Sequence, residues 1–184
     1  MNNATILDAA AIQRILEERA AALARSAADD HDPVKTIPLV ELSLGAERFG
    51  IDLQQVQEIQ PLKGLSRVPG VAAHWAGVVN LRGRLYPVLD LRHVLGLAAS
   101  DVPVEGQIIV AAAVGLEVAL WANDVLGVRH IPHDAIGPPP LETGEGSRAF
   151  ISGVTAELLS VLDLDVILSD PGLAAGEPSP KSDR

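Results

Sequence analysis

The chain has 184 residues, 48% of them hydrophobic, enough for one sizeable domain or two small packed ones and too many for wholesale disorder. Its 14 Lys and Arg against 24 Asp and Glu leave a formal charge of −10, which repels phosphate backbones and anionic lipid, so nucleic acid is not an expected partner. There is no cysteine, which excludes disulfides, thiol catalysis and thiolate metal ligands.

The first residues lack the basic stretch, apolar segment and small-residue cleavage site of a secretory signal, so a cytoplasmic location is expected. Residues 5 to about 26 are rich in Ala, Leu, Glu and Arg. Ile12, Leu16 and Leu23 fall near one helical face with Ile15 beside them, which predicts an amphipathic helix. Thr5 and Asp8 resemble a capping box with a shorter acid, and the Asp-Asp-His-Asp-Pro run at 29–33 is a break. Residues 1–34 therefore read as a helical extension with a linker, outside the main fold.

From Ile37 the period changes to two. Val40, Leu42 and Leu44 alternate with Glu41 and Ser43, and Phe49, Ile51 and Leu53 alternate with Gly50 and Asp52, so a hairpin is predicted with its turn at Gly45–Arg48. A second hairpin runs from Val78 to Leu91 with Arg82-Gly83 at the reversal and Pro87 predicting an edge or a bulge. The stretch from Ile108 to Ala122 is too short to span a membrane comfortably and is interrupted by Gly115 and Glu117, so it reads as two buried strands joined by a turn.

The chain then repeats itself. Shifted by 69 residues, Val40–Ile59 lies on Ile109–Val128, with Phe49 on Val118, Ile51 on Leu120, Val56 on Val125 and Ile59 on Val128. Shifted by 73 residues, Ala76–Leu91 lies on Ala149–Leu164, and Val88-Leu89-Asp90-Leu91 returns as Val161-Leu162-Asp163-Leu164. Two copies of a β-rich unit, each too small to bury its strands alone, predict two similar subdomains packed together. No long crossover helix separates the strands, which favours small barrels over a parallel sheet.

The fold expected is all-β with accessory helices, with subdomains at about 37–97 and 98–170. Short helices are predicted after Asp90 and Asp163, each capped by its aspartate. Gly137–Gly146, with three consecutive prolines, reads as a loop, and 171–184 as a disordered tail.

No Gly-rich phosphate loop, nucleophile elbow or kinase signature is present, so no catalytic residue and no cofactor are assigned. His130, His133 and Asp134 have a spacing that could suggest metal, but Ile131-Pro132 breaks a regular helical face and no third histidine lies near, so no metal site is assigned. Trp75, Tyr86, Trp121, Phe49 and Phe150 sit in or beside strand patterns and are expected mostly in the core. Arg48, Arg67, Arg84, Arg92 and Arg129 are scattered and read as surface charges.

One ordered series of fragments resembles a known family. Gly50-Ile51-Asp52 leads into Val56-Gln57-Glu58-Ile59. Then come Val68-Pro69-Gly70, Gly77-Val78-Val79-Asn80-Leu81-Arg82-Gly83 and Pro87-Val88-Leu89-Asp90-Leu91-Arg92. Together, over roughly Ile37 to Asp170, they look like the CheW chemotaxis coupling family. The resemblance implies two SH3-like five-stranded β-barrel subdomains and a non-catalytic adaptor. Its implied partners are the regulatory domain of a CheA-type histidine kinase and the cytoplasmic tip of a methyl-accepting chemoreceptor, with self-association in arrays and recruitment to membrane receptors without insertion. It further implies partner binding at Val56, Glu58, Ile59, Gly77, Asn80, Arg82 and Gly83.

From the residues alone, Arg82 is first a solvated turn arginine, Asn80 a residue that holds the turn, and Ile59 a core residue, whereas Val56 is open to a contact groove. The resemblance turns Arg82 into a partner contact. Left open are a ligand-binding or enzymatic barrel with dispersed site residues, and a detached kinase regulatory domain. An oligonucleotide-binding barrel is disfavoured by the acidic charge and the few aromatics. Against the detached domain stand Met1, the helical extension and the tail, which read as a stand-alone product.

Overall fold

The structure is a computed structural model that describes residues 35–97, 103–139 and 147–174. The predicted N-terminal helix lies outside them. The first predicted hairpin is present as β1 (Thr36–Leu44) and β2 (Glu47–Asp52), turning at Gly45-Ala46. Leu53 belongs to a 3-10 turn (Leu53–Gln55) capped by Asp52, whose side chain accepts from Gln54 N at 2.8 Å. Then follow β3 (Val56–Pro61), β4 (Trp75–Leu81), β5 (Arg84–Asp90) and α1 (Leu91–Val94).

The second copy has β6 (Gln107–Ala113), β7 (Leu116–Ala122), β8 (Asp124–Pro132), the two-residue β9 (Ile136–Gly137), β10 (Ile151–Thr155), β11 (Ser160–Leu162) and α2 (Leu164–Ser169). A last helical turn, α3 (Pro171–Ala174), occupies the start of the segment predicted as a disordered tail. It is held because Leu173 is buried and its carbonyl accepts from Trp75 Nε1 at 3.1 Å.

The strands form two sheets, in the orders β8-β1-β2-β11-β10-β9 and β3-β6-β7-β5-β4. In each, the end strands are near neighbours in the chain: β8 and β9 are joined by a 3-10 turn (His133–Ala135), and β3 and β4 by a loop whose Ser66 is bridged to Val78. Each sheet is thereby curled toward closure, as in a small barrel.

The division at about residue 97 does not separate the sheets. The hairpin β1-β2 is paired with β8 and, in parallel, β11, while its duplicate β6-β7 is paired with β3 and, in parallel, β5. The two copies have exchanged their first hairpins, so each sheet draws strands from both halves of the chain.

The main core follows from that exchange. Leu42, Phe49 and Ile51 of the first sheet join Val79, Val88, Leu89, Ile109 and Leu120 of the second and Leu91, Leu164 and Ile167 of the helices in one cluster. Burial of each such side chain contributes roughly 1.5–3 kcal/mol. A satellite of Leu39, Ile131, Leu159 and Val161 fills the remainder of the first sheet. Phe49, Tyr86, Trp121 and Phe150 are buried as expected, and Trp75 is partly buried against the same core.

Pro87 is on an interior strand, not an edge. Pairing of β5 with β7 begins only at Val88, so the missing N–H leaves no gap in that ladder. Among the described residues no helix is long and apolar enough to cross a membrane.

Candidate functional site

The turn between β4 and β5 has two residues between the closing pair Leu81 and Arg84. Arg82 and Gly83 take φ of +52° and +86°, the two positive values of a tight hairpin reversal. Asn80 holds the turn as its residue type predicts, its Oδ1 accepting from Gly83 N at 2.9 Å. Arg82 is thereby carried outward with its side chain 84% exposed, and its Nη2 donates to Glu58 Oε1 at 2.8 Å. An ion pair this exposed contributes at most about 1 kcal/mol to folding, so stability does not explain it.

Glu58 reaches Arg82 from β3, an end strand of its sheet. Burial along β3 alternates strictly, with Val56, Glu58 and Gln60 on the half-buried side and Gln57, Ile59 and Pro61 exposed. The placing of Ile59 in the core is therefore corrected: it is 40% exposed, and Val56 is the residue that packs on the core. An i, i+3 grouping of Val56 with Ile59 belongs to a helix, and in a strand those two positions face opposite ways. The ladder to β6 shifts register between Val56 and Glu58, so Gln57 is a bulge immediately before the ion-paired glutamate.

Gly77 is buried at φ +146°, where a Cβ would run into the Ser66 carbonyl oxygen. Ser66 and Val78 exchange both backbone hydrogen bonds at 2.8 Å, so neither side can give way. What the structure assigns to Gly77 is this close backbone approach. Gly77→Ala is expected to cost about 3 kcal/mol or more in urea unfolding. Gly83→Ala, where nothing lies within 4 Å and only the positive φ is strained, should cost about 1–2 kcal/mol. Equal losses at the two positions would refute the steric role of Gly77.

A related arrangement in the other sheet escaped the sequence reading. Glu157, in the turn between β10 and β11, accepts from Arg129 of β8 at 2.7 Å. Arg129 also stands 3.5 Å from Glu41, whose other oxygen accepts from Arg48 at 3.2 Å. The hydrogen bond that Arg129 donates to Glu157 is the main cause that pushes its guanidinium above the ordinary pKa, and Glu41 adds to it. A turn is thus tied to the opposite end strand in both sheets, with cation and anion exchanged.

Glu41 alternates with apolar neighbours and so reads as solvent-facing, yet it is 5% exposed because β1 lies between β2 and β8. Arg92 is likewise no surface charge. Its guanidinium lies 4.2 Å from the Trp121 ring centroid and donates to both oxygens of the fully buried Asp90, at 3.0 Å from Nε and 2.7 Å from Nη2. His130 lies on β8 and His133 and Asp134 in the turn that follows, and among the described residues no three His, Cys, Asp or Glu come together to hold a metal.

The fold has counterparts among known proteins. The CheW-like domain matches residues 38–172. The chain is 27% identical over 135 residues to a probable chemotaxis protein CheW of Rhizobium etli, covering 72% of this chain and 87% of that protein. It is 28% identical over 141 residues to the protein PilI of Pseudomonas aeruginosa, covering 76% and 78%. The crystal structure of the scaffolding protein TtCheW from Thermoanaerobacter tengcongensis superposes with a TM-score of 0.63 at 24% identity, over 79% of this chain and 99% of that one, and shares the fold. With the domain matched from residue 38 to residue 172, the chain belongs to the CheW-like domain family.

Proposed function

We propose that this chain, a chemosensory coupling adaptor, joins the regulatory domain of a CheA-type histidine kinase to the cytoplasmic tip of a chemoreceptor through the face that carries Arg82 and Glu58. It works by apposition and performs no reaction of its own. The observation that supports the reading is the Arg82 guanidinium, projected from a two-residue turn and 84% exposed while already oriented by Glu58. A planar fork with donors still open to solvent is suited to a partner carboxylate or carbonyl. Ile59 of β3 and Leu85 of β5 are also exposed apolar side chains of this sheet. Recruitment to membrane-bound arrays follows from the receptor contact and needs no membrane segment in this chain.

Titration of each partner fragment with Arg82→Ala tests the reading. The fold should change by about 0.5 kcal/mol or less, while the affinity for at least one partner should fall by about 2 kcal/mol, roughly thirtyfold. Unchanged affinity for both fragments, in a variant that unfolds like the parent, rules out this face.

A further inference from the structure

We infer that Glu117 of β7 is the positioning residue of the Arg82–Glu58 pair, an inference that rests on the coupling reading for its functional consequence. Glu117 Oε1 accepts from Gln57 Nε2 at 3.3 Å and Oε2 pairs with Arg84 Nη2. One carboxylate therefore holds the residue just before Glu58 and the residue just after the Arg82-Gly83 turn.

Both contacts fall where the backbone ladders do not reach. Gln57 is the bulged residue of β3, skipped by the pairing with β6. Arg84 lies at the start of β5, whose pairing with β7 begins four residues later at Val88. Between the bulge and the turn, the Glu117 side chain supplies the lateral connection that main-chain hydrogen bonds supply elsewhere. The Arg84 guanidinium is further steadied 5.2 Å from the Tyr86 ring centroid.

The duplication gives an independent observation. Under the 69-residue shift Arg48 falls on Glu117 and Leu126 on Gln57, and under the 73-residue shift Glu157 falls on Arg84. In the other sheet Leu126 is again a bulge, skipped between Gly127 and Val125 in the pairing with β1, and Arg48 Nη2 reaches the Glu157 carbonyl oxygen at 3.5 Å. A link between the same two positions recurs, there from a guanidinium to a main-chain carbonyl, while the Glu157 carboxylate pairs with Arg129. Only beside Arg82 does the bulged residue carry an amide that the link can hold; Leu126 offers no polar group. The extended clamp thus accompanies the one turn that bears Arg82.

The first test uses the whole chain without partners. In Glu117→Ala the Arg82 Nε–Hε resonance and the amides of Gln57, Glu58 and Gly83 should shift and show increased fast motion, with the unfolding midpoint nearly unchanged. Resonances of Glu58 and Arg82 that stay in place overturn the clamp, whatever the partners do.

The second test measures affinity for the kinase regulatory domain and the receptor-tip fragment. Glu117→Arg should weaken about tenfold the complex that Arg82→Ala weakens, and the charge-reversed pair Arg84→Glu with Glu117→Arg should restore it to within about threefold. Failure of the double variant to recover would mean that Arg84 or Glu117 touches the partner directly, and the positioning role falls. An Arg82→Ala variant with unaltered affinity removes the coupling reading, and the resonances then decide the clamp by themselves.

Discussion

A chain cut between residues 97 and 103 is expected to yield two fragments that are unfolded apart and folded together. Each fragment holds one hairpin and the strands that complete the other's sheet, three in the first fragment and four in the second. In the first, β1-β2 loses both β8 and β11, and β5 and β3 lose β7 and β6. What remains is two separate hairpins and an end strand, and isolated hairpins are marginal in water. The core is divided as well, since Phe49 and Ile51 pack in the same cluster as Ile109, Leu120 and Leu164. Far-UV circular dichroism of the separate fragments should show little sheet, and equimolar mixing should restore it with a single cooperative urea transition. Cooperative unfolding of either fragment alone would show that the halves are independent and that the exchange of hairpins matters little for folding.

The strands, their turns and the duplication are legible in the sequence because they depend on local periodicity. Val40, Leu42 and Leu44 are buried as their alternation says, and the shifts of 69 and 73 residues place each strand of one copy on its counterpart. Pairing partners are not written in that periodicity. A hairpin looks the same whether it closes its own sheet or its neighbour's, which is why the boundary near residue 97 is visible in the sequence and absent from the sheets.

Side chains mislead where a neighbour comes from far along the chain. Glu41 is covered because β8 arrives beside β1, and Arg92 is drawn inward by Trp121. The Arg82 turn, by contrast, is local: Asn80, Arg82 and Gly83 contain its hydrogen bond and both positive φ values, so its form could be read directly. Its tie to Glu58 could not, because it depends on the curl of a sheet whose strands span residues 56–122.

The two aspartates that the duplication sets at equivalent positions should behave very differently when removed. Asp163 caps α2, accepting from Val166 N at 3.0 Å while half-buried, and Asp163→Ala should cost about 1 kcal/mol, the usual worth of a cap. Asp90 also caps its helix, accepting from Arg92 N at 3.0 Å, but it is fully buried and pairs through both oxygens with the Arg92 guanidinium. His93 Nδ1 stands 3.5 Å away on the same side. Loss of the carboxylate removes from Arg92, only 17% exposed, the paired hydrogen bonds that Asp90 accepts. Asp90→Ala should therefore cost about 3–5 kcal/mol in urea unfolding, several times the cost at Asp163. Arg92→Ala should be comparably damaging, because it leaves a buried carboxylate without its partner. The double variant should cost clearly less than the two single losses added together, since neither charge is then stranded. Additive losses, or an Asp90→Ala cost no larger than that of Asp163→Ala, would mean that Asp90 is only a cap and that the Arg92 pair contributes nothing to the fold.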